Sequence, residues 1–293
     1  MPLPRRPRFT LRTPVRALEL GERTLLMGIL NVTPDSFSDG GLYAAPEKAV
    51  ERALAMEREG AGIVDLGAES TRPGSARITA EEEWARLAPV LRALAGRLSV
   101  PISVDTFKPA VAESALAAGA EIVNFPVLSP VAPMAAVAAR AGAPLVLMHA
   151  RGTPETMRQM EPLADHMGEV LRGLKGLAAE AVAAGAPRQS LLLDPGFGFG
   201  KNGDENFTLL ARLDAMHALG RPLLAGTSRK SFIGRALGRA AGAADSIAGE
   251  RQWGTAATVT AAVLAGAHVV RVHDVAEMAQ VARVADRILA ASL

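Results

Sequence analysis

The stretch Leu191–Leu192–Leu193–Asp194–Pro195–Gly196–Phe197–Gly198–Phe199–Gly200–Lys201 decides the fold. Three leucines make a short, fully apolar run of the kind that sits in the middle of a parallel sheet, and the run closes on a carboxylate. Proline and three spaced glycines then turn the chain, and helical periodicity begins a few residues later at 206–219. Apolar run, polar residue, turn and helix make one β-then-α unit, and the unit recurs along the chain. Strand-like runs cover residues 25–31, 62–67, 101–105, 121–125, 144–149, 191–194, 222–226 and 268–273. Helical periodicity covers 45–60, 80–98, 110–118, 132–141, 163–184, 206–219 and 252–266, with a last helix from Val275. Six of these helices run into Gly60, Gly119, Gly142, Gly185, Gly220 and Gly266, where a left-handed residue ends the helix and starts the next strand.

Eight such units without a linker predict an α/β fold of the closed (β/α)8 TIM-barrel type over residues 25–293, since open doubly wound sheets usually stop earlier. Residues 1–24 stand outside the repeat and are expected to form an extension, with a hairpin around Gly21 closing the barrel bottom. The 293 residues carry a formal charge of only +2, which suits an enzyme with local basic sites better than a nucleic-acid binder with a basic face. There is no cysteine, so disulfides, thiolate metal sites and cysteine nucleophiles are excluded. Residues 1–14 hold Arg5, Arg6, Arg8 and Arg12 among prolines and lack the apolar core of a secretory signal. The stretch 257–267 is too short for a bilayer, which takes roughly 20 apolar residues. The expectation is a cytoplasmic protein with no membrane partner. Only five residues are lysine, which singles out Lys201 and Lys230 in their polar loops.

In a barrel of this kind chemistry gathers where strands end. The eight runs end in or near Asn31, Asp65, Asp105, Asn124, His149, Asp194, the Ser228–Arg229–Lys230 triplet, and Arg271 with His273. Any one of these is as well explained by a loop hydrogen bond or a helix cap; the ring as a whole is not. Strand alternation places Arg271 and His273 on one face with Val272 on the other, and separates Ser228 and Lys230 from Arg229. Two chemistries are legible. Arg72, Arg271 and His273, with Asn31, Ser70 and Thr71, suit an oxygen-rich anion such as pyrophosphate, because guanidinium forks match phosphate geometry. Asp105, Asn124, Asp194 and Lys230 suit a flat heterocycle with donors and acceptors on its edge. The glycines after Asp194 permit close backbone approach to a ligand, with Phe199 as a wall; a tight strand-to-helix turn is the alternative. The run lacks P-loop spacing, and no His-Glu-His pattern points to zinc. His149 reads as a buried barrel histidine or a ligand, while His166 and His217 read as packing or surface residues.

Taken together, these blocks resemble the dihydropteroate synthase family from Met27 onward. The resemblance rests on the residues 27–41, 67–74 and 102–106, on Leu147–Met148–His149, and on Leu193–Asp194–Pro195–Gly196–Phe197–Gly198–Phe199–Gly200–Lys201. It continues through Ser228–Arg229–Lys230–Ser231 and Arg271–Val272–His273–Asp274–Val275. The resemblance implies a pterin pocket of Asp105, Asn124, Met148, Asp194 and Lys230, with Asp105, Asp194 and Lys230 serving the chemistry. It implies that Asn31, Thr71, Arg72, Arg271 and His273 handle a pyrophosphate, with Mg2+ held at Asn31. Phe37, Pro73, Phe199 and Ser231 are implied to form a p-aminobenzoate site, and the chain to be a homodimer through its later helices. The small-molecule substrates implied are a pterin pyrophosphate and p-aminobenzoate. This chain departs from the family's pattern at Phe125–Pro126–Val127 and at Phe107, where small or acidic residues are usual. Two rival readings are a methyltetrahydrofolate–corrinoid methyltransferase barrel, which has no use for a pyrophosphate site, and an inactive pterin-binding subunit. Loss of a motif residue would betray the second, and every block is intact.

Overall fold

All eight apolar runs become strands in the computed structural model, which describes residues 3–32, 41–70, 77–153, 155–238 and 248–292. An antiparallel hairpin comes first, β1 (Phe9–Arg12) and β2 (Ala17–Leu20). The barrel strands follow: β3 (Leu25–Asn31), β4 (Ile63–Gly67), β5 (Ile102–Asp105), β6 (Ile122–Pro126), β7 (Leu145–Met148), β8 (Leu191–Asp194), β9 (Leu224–Ala225) and β10 (Val269–Val272). They pair in parallel in the order β8, β7, β6, β5, β4, β3, β10, β9. A parallel bridge between Leu193 and Leu223 joins the two ends and closes the barrel. Helices α1 (Gly41–Glu59), α2 (Ala80–Leu94), α3 (Pro109–Ala117), α4 (Val131–Arg140), α5 (His166–Ala183), α6 (Gly203–Ala211), α7 (Ser231–Ala236), α8 (Gln252–Leu264) and α9 (Val275–Ala291) form the outer ring.

Alternation along each strand divides the core in two. Val64, Leu66, Val104, Val123, Phe125, Leu147, Leu193 and Val272 face outward and pack under helical residues such as Leu87, Val111, Met134, Leu174, Leu209 and Met278. Met27, Ile63, Ile122, Val146, Leu192, Leu224 and Val269 face inward as one apolar layer at the barrel's lower end. The hairpin seals that layer with Leu11 and Leu20, each buried and each contributing about 1.5–3 kcal/mol. With the lower interior filled by apolar side chains, the next inward layer up is free to be polar.

The hairpin turns at residues 13–16, where Thr13 N–H donates to the Arg16 carbonyl (2.8 Å), and not at Gly21. Thr13 Oγ1 also donates to Glu121 (2.6 Å), and Arg16 pairs with the same carboxylate (2.9 Å), so a buried acid on the barrel fixes the turn. Gly21 lies just beyond β2 at φ 107°, where a Cβ would overlap the Pro7 carbonyl; its role is close packing of the chain entering the hairpin. The helix expected over 206–219 is broken: α6 stops at Ala211 and a 3-10 segment, Leu213–Leu219, tightens onto left-handed Gly220. The short helix α7 escaped the periodicity reading because six residues give too few turns for a pattern.

Candidate active site

Strand register determines which polar residues meet. Asp65 on β4 lies level with Ser103 on β5, Asp105 with Asn124 on β6, and Met148 on β7 with Asp194 on β8. All share the inward phase of the apolar layer beneath them. Gly67 stands opposite Asp105, and the missing side chain leaves that carboxyl its space.

Arg271 on β10 reaches into the same layer. Its Nε donates to Asp65 Oδ2 (2.6 Å) and its Nη2 to Asp105 Oδ2 (2.6 Å), so one guanidinium bridges two carboxylates. Asn124 Nδ2 donates to the same Asp65 oxygen at 3.0 Å. Asp65 is fully buried, and its other oxygen has no donor among the described residues. Burial pushes the Asp105 carboxyl upward, opposed by Arg271 and reinforced by Asp65. Burial also acts on Arg271, but the two carboxylates outweigh it and hold the guanidinium firmly charged.

Asp194 closes the ring from β8. Its Oδ1 accepts from the Gly196 N–H (2.7 Å), and burial raises its pKa against the pull of that bond and of Lys230. Lys230, just before α7, holds its Nζ 4.2 Å from the centre of the Phe199 ring, within cation–π range. Phe199 is half-buried and Ser231 exposed, both beside the same loop; Met148 is buried under Gly196.

The glycine run forms the tight strand-to-helix turn, the alternative reading of its sequence. Gly196, Gly198 and Gly200 all have φ between 67° and 80°. A Cβ at Gly196 or Gly200 would overlap the carbonyl oxygens of His149 and Arg151, so the loop is pressed against the segment after β7. Lys201 fastens it. The buried ammonium donates to His149 O (3.1 Å), Gly196 O (2.9 Å) and Phe199 O (3.0 Å). Burial lowers its pKa to about 7, with Asp194 pulling the other way. Lys201 thus holds the loop's backbone, whereas Lys230 faces the pocket wall. His149 points away from the pocket and packs against Gly173 of α5, where burial pushes its imidazole down to about 3. It is a buried neutral residue whose Nδ1 has no partner among the described residues.

At the barrel mouth, Ser228 Oγ lies 3.0 Å from His273 Nδ1 and accepts from the His273 N–H at 3.2 Å. Arg229, in the turn beyond β9 with a left-handed φ of 58°, pairs with Asp274 (Nε to Oδ2, 3.1 Å); its direction is set by the turn and not by strand alternation. Asn31 ends β3 exposed at the same mouth. Phe107 lies between Arg77 (4.7 Å) and Lys108 (4.9 Å). At the other departure, Phe125 turns into the helix-side core while Asn124 keeps its inward place, and Pro126 ends the strand level with Met148.

The structure therefore brings together Asp105, Asn124, Met148, Asp194, Lys230, Phe199 and Arg271 at the upper end of the barrel interior, with Asn31, His273 and Ser231 at the same mouth. Phe37, Thr71, Arg72 and Pro73 lie outside the described residues. Asp65, left out of the site when the sequence is read alone, proves to be the carboxylate on which Arg271 and Asn124 converge. Its signal was parity: two residues before Gly67 it shares the inward phase.

A closed (β/α)8 barrel with three carboxylates, an arginine and a lysine in its upper interior and Ser228, His273 and Asn31 at its mouth defines a barrel enzyme acting on a small polar substrate. The family model for pterin binding enzymes matches residues 27–273, and the chain belongs to that family. The dihydropteroate synthase of Escherichia coli strain K12 is 46% identical over 267 residues, 91% of this chain and 92% of that protein. The Xanthomonas albilineans dihydropteroate synthase solved with 4-aminobenzoic acid superposes with a TM-score of 0.88 at 40% identity, covering 97% of this chain and 99% of that one. The same enzyme solved in complex with 7,8-dihydropteroate gives 0.84 at 38% identity, with 97% and 99% covered.

Proposed function

We infer that this chain is a transferase of the pterinylmethyl group that carries out the dihydropteroate synthase reaction of folate biosynthesis. 6-Hydroxymethyl-7,8-dihydropterin pyrophosphate and p-aminobenzoate give 7,8-dihydropteroate and pyrophosphate. The carrying observation is the buried layer in which Asp65 and Asp105 share Arg271 while Asp194 and Lys230 face them. A pterin edge has amino and ring N–H donors for carboxylates and a ring carbonyl for an ammonium. Asp105, Asn124 and Asp194 accept or exchange those hydrogen bonds, Lys230 reaches the carbonyl, and Met148 packs on the ring.

The bond between the pterin methylene carbon and the pyrophosphate oxygen breaks, a bond from the arylamine nitrogen to that carbon forms, and the amine loses one proton. An aniline nitrogen is neutral near pH 7, so no residue has to generate the nucleophile. Three carboxylates against Arg271 and Lys230 favour positive charge spreading into the pterin as the leaving group departs. Arg271, through the edge not used by Asp65 and Asp105, and His273 beside Ser228 take the departing pyrophosphate together with Thr71 and Arg72. Phe199 walls the p-aminobenzoate side with Phe37, Pro73 and Ser231.

A magnesium ion suits this mouth. Asn31 offers one exposed amide oxygen, and Mg2+ characteristically takes most of its ligands from substrate phosphates and water. When bound it supplies charge neutralisation to the leaving group. No described helix is long and apolar enough to cross a membrane, and we place the chain in the cytoplasm. We also propose a homodimer through the late helices: Trp253 of α8 is 83% exposed, and Val284 and Ile288 of neighbouring α9 are exposed too. Incubation with both substrates and Mg2+, followed by mass analysis, tests the reaction. Dihydropteroate in equal amount to released pyrophosphate is expected; tight pterin binding without product would contradict it.

A further inference from the structure

The end of the barrel opposite the pocket carries a second concavity, of about 420 Å3, between the hairpin and the segments that enter β8 and β9. That size falls within the roughly 300–1,000 Å3 of small-molecule sites. Three guanidinium groups line it: Arg8 before β1, Arg188 before β8 and Arg221 before β9. They come from segments far apart in the chain, and the fold gathers them at one spot. No Asp or Glu is in the lining, and none of the three arginines makes an ion pair among the described residues. The nearby Glu19 is occupied by the hydroxyl of Thr10 (2.9 Å). Elsewhere this protein pairs its partly buried arginines: Arg6 with Asp286, Arg16 with Glu121, Arg229 with Asp274.

Arg221 is the informative member. One of its terminal nitrogens donates to the Gly220 carbonyl, but its Nε is buried and has no acceptor. An unsatisfied buried donor of a charged group is costly, and here burial and the facing Arg188 both work against the charge. An oxygen-rich anion seated between the guanidiniums would relieve the repulsion between Arg221 and Arg188. Gln189 adds a neutral amide donor at the rim. We propose that this concavity binds a small anion bearing several phosphate groups, at a site separated from the pterin pocket by the apolar layer of the lower barrel.

Titration calorimetry of the full chain with sodium tripolyphosphate tests the proposal, with ATP and orthophosphate as further arms. Arg8 and Arg188 are exposed, so Arg8→Ala/Arg188→Ala removes two of the three guanidiniums without touching the core. Arg271→Ala serves as the control for anion binding at the opposite mouth. The expected result is binding at two places: one event lost in Arg271→Ala, belonging to the mouth, and a second retained in Arg271→Ala and weakened at least tenfold by the double substitution, with orthophosphate binding there more weakly than tripolyphosphate. Equal affinity for ATP and tripolyphosphate identifies the phosphate chain as the whole ligand, and tighter ATP binding identifies a nucleoside polyphosphate. Superimposable titrations of the parent and the Arg8→Ala/Arg188→Ala protein, or loss of all binding in Arg271→Ala, would overturn the proposal.

Discussion

Replacing Lys201 by methionine separates a backbone staple from a chemical group. Methionine keeps the apolar stem as far as Cε and removes the ammonium. Three carbonyls, those of His149, Gly196 and Phe199, then lose a donor at 2.9 to 3.1 Å. A buried acceptor left without a partner costs about 1–3 kcal/mol, so the gross loss is several kcal/mol. Against it stands relief from burying a charge, which is substantial because burial already drives this lysine down to about 7. Water entering beside a loop at the barrel mouth restores part of the remainder, and a net destabilisation of about 2–4 kcal/mol follows. The loop held by Lys201 also carries Phe199, so its loosening should raise KM for p-aminobenzoate more than it lowers kcat. Urea denaturation measures the first effect and steady-state kinetics the second. Unchanged stability together with a collapse of kcat at unchanged KM would refute the staple and assign Lys201 to the chemistry.

Asp194→Asn should lower turnover at least a hundredfold while changing pyrophosphate affinity little, since the carboxylate matters when charge develops in the pterin; equal losses in both would argue against that role. Asp65→Asn leaves Arg271 with Asp105 alone in a buried setting and should cost about 2–3 kcal/mol in denaturation experiments, with weakened pterin binding measurable by calorimetry. Gly196→Ala combines a left-handed backbone with overlap on the His149 carbonyl and should destabilise the chain by more than about 2 kcal/mol, seen as a lowered Tm. Acid stability depends on His268, which accepts from the Leu223 N–H (3.0 Å) and meets the Pro7 carbonyl (2.9 Å), and which burial pushes down to about 4. The folded state favours the neutral ring, so its contribution is whole above about pH 6.5 and is lost as pH falls toward 4. The loss between pH 7 and pH 5 is about 2 kcal/mol. His268→Gln should reduce the slope of the urea midpoint against pH over that interval, leaving the share that buried His149 contributes, and an undiminished slope would exclude His268 as a source.

Strand number and the inward phase of Asp105, Asn124 and Asp194 were legible because alternation and strand ends are local properties of the chain. The link from Arg271 to Asp65 and Asp105 was not, because it depends on how strands far apart in sequence register once the barrel closes. Arg271 was read as a phosphate ligand alone, and its guanidinium turns out to tie two carboxylates first. Lys201 stood out in the sequence only as one of five lysines, in a polar loop, with no role assigned; the three-dimensional path of the glycine run shows its carbonyls converging on the ammonium. Gly21 marked an unusual backbone correctly but suggested the wrong turn, since its positive φ answers to contact with Pro7 and the hairpin turn is set by Thr13 and a distant glutamate.

The most direct test follows pyrophosphate release by the purified chain with Mg2+ and dihydropterin pyrophosphate, with and without p-aminobenzoate, for the parent and Lys230→Ala. The account predicts release coupled one-to-one to dihydropteroate, dependent on p-aminobenzoate, and lost by at least two orders of magnitude in Lys230→Ala although the barrel still folds. Release at the same rate in Lys230→Ala would contradict the claim that the buried polar layer performs the reaction.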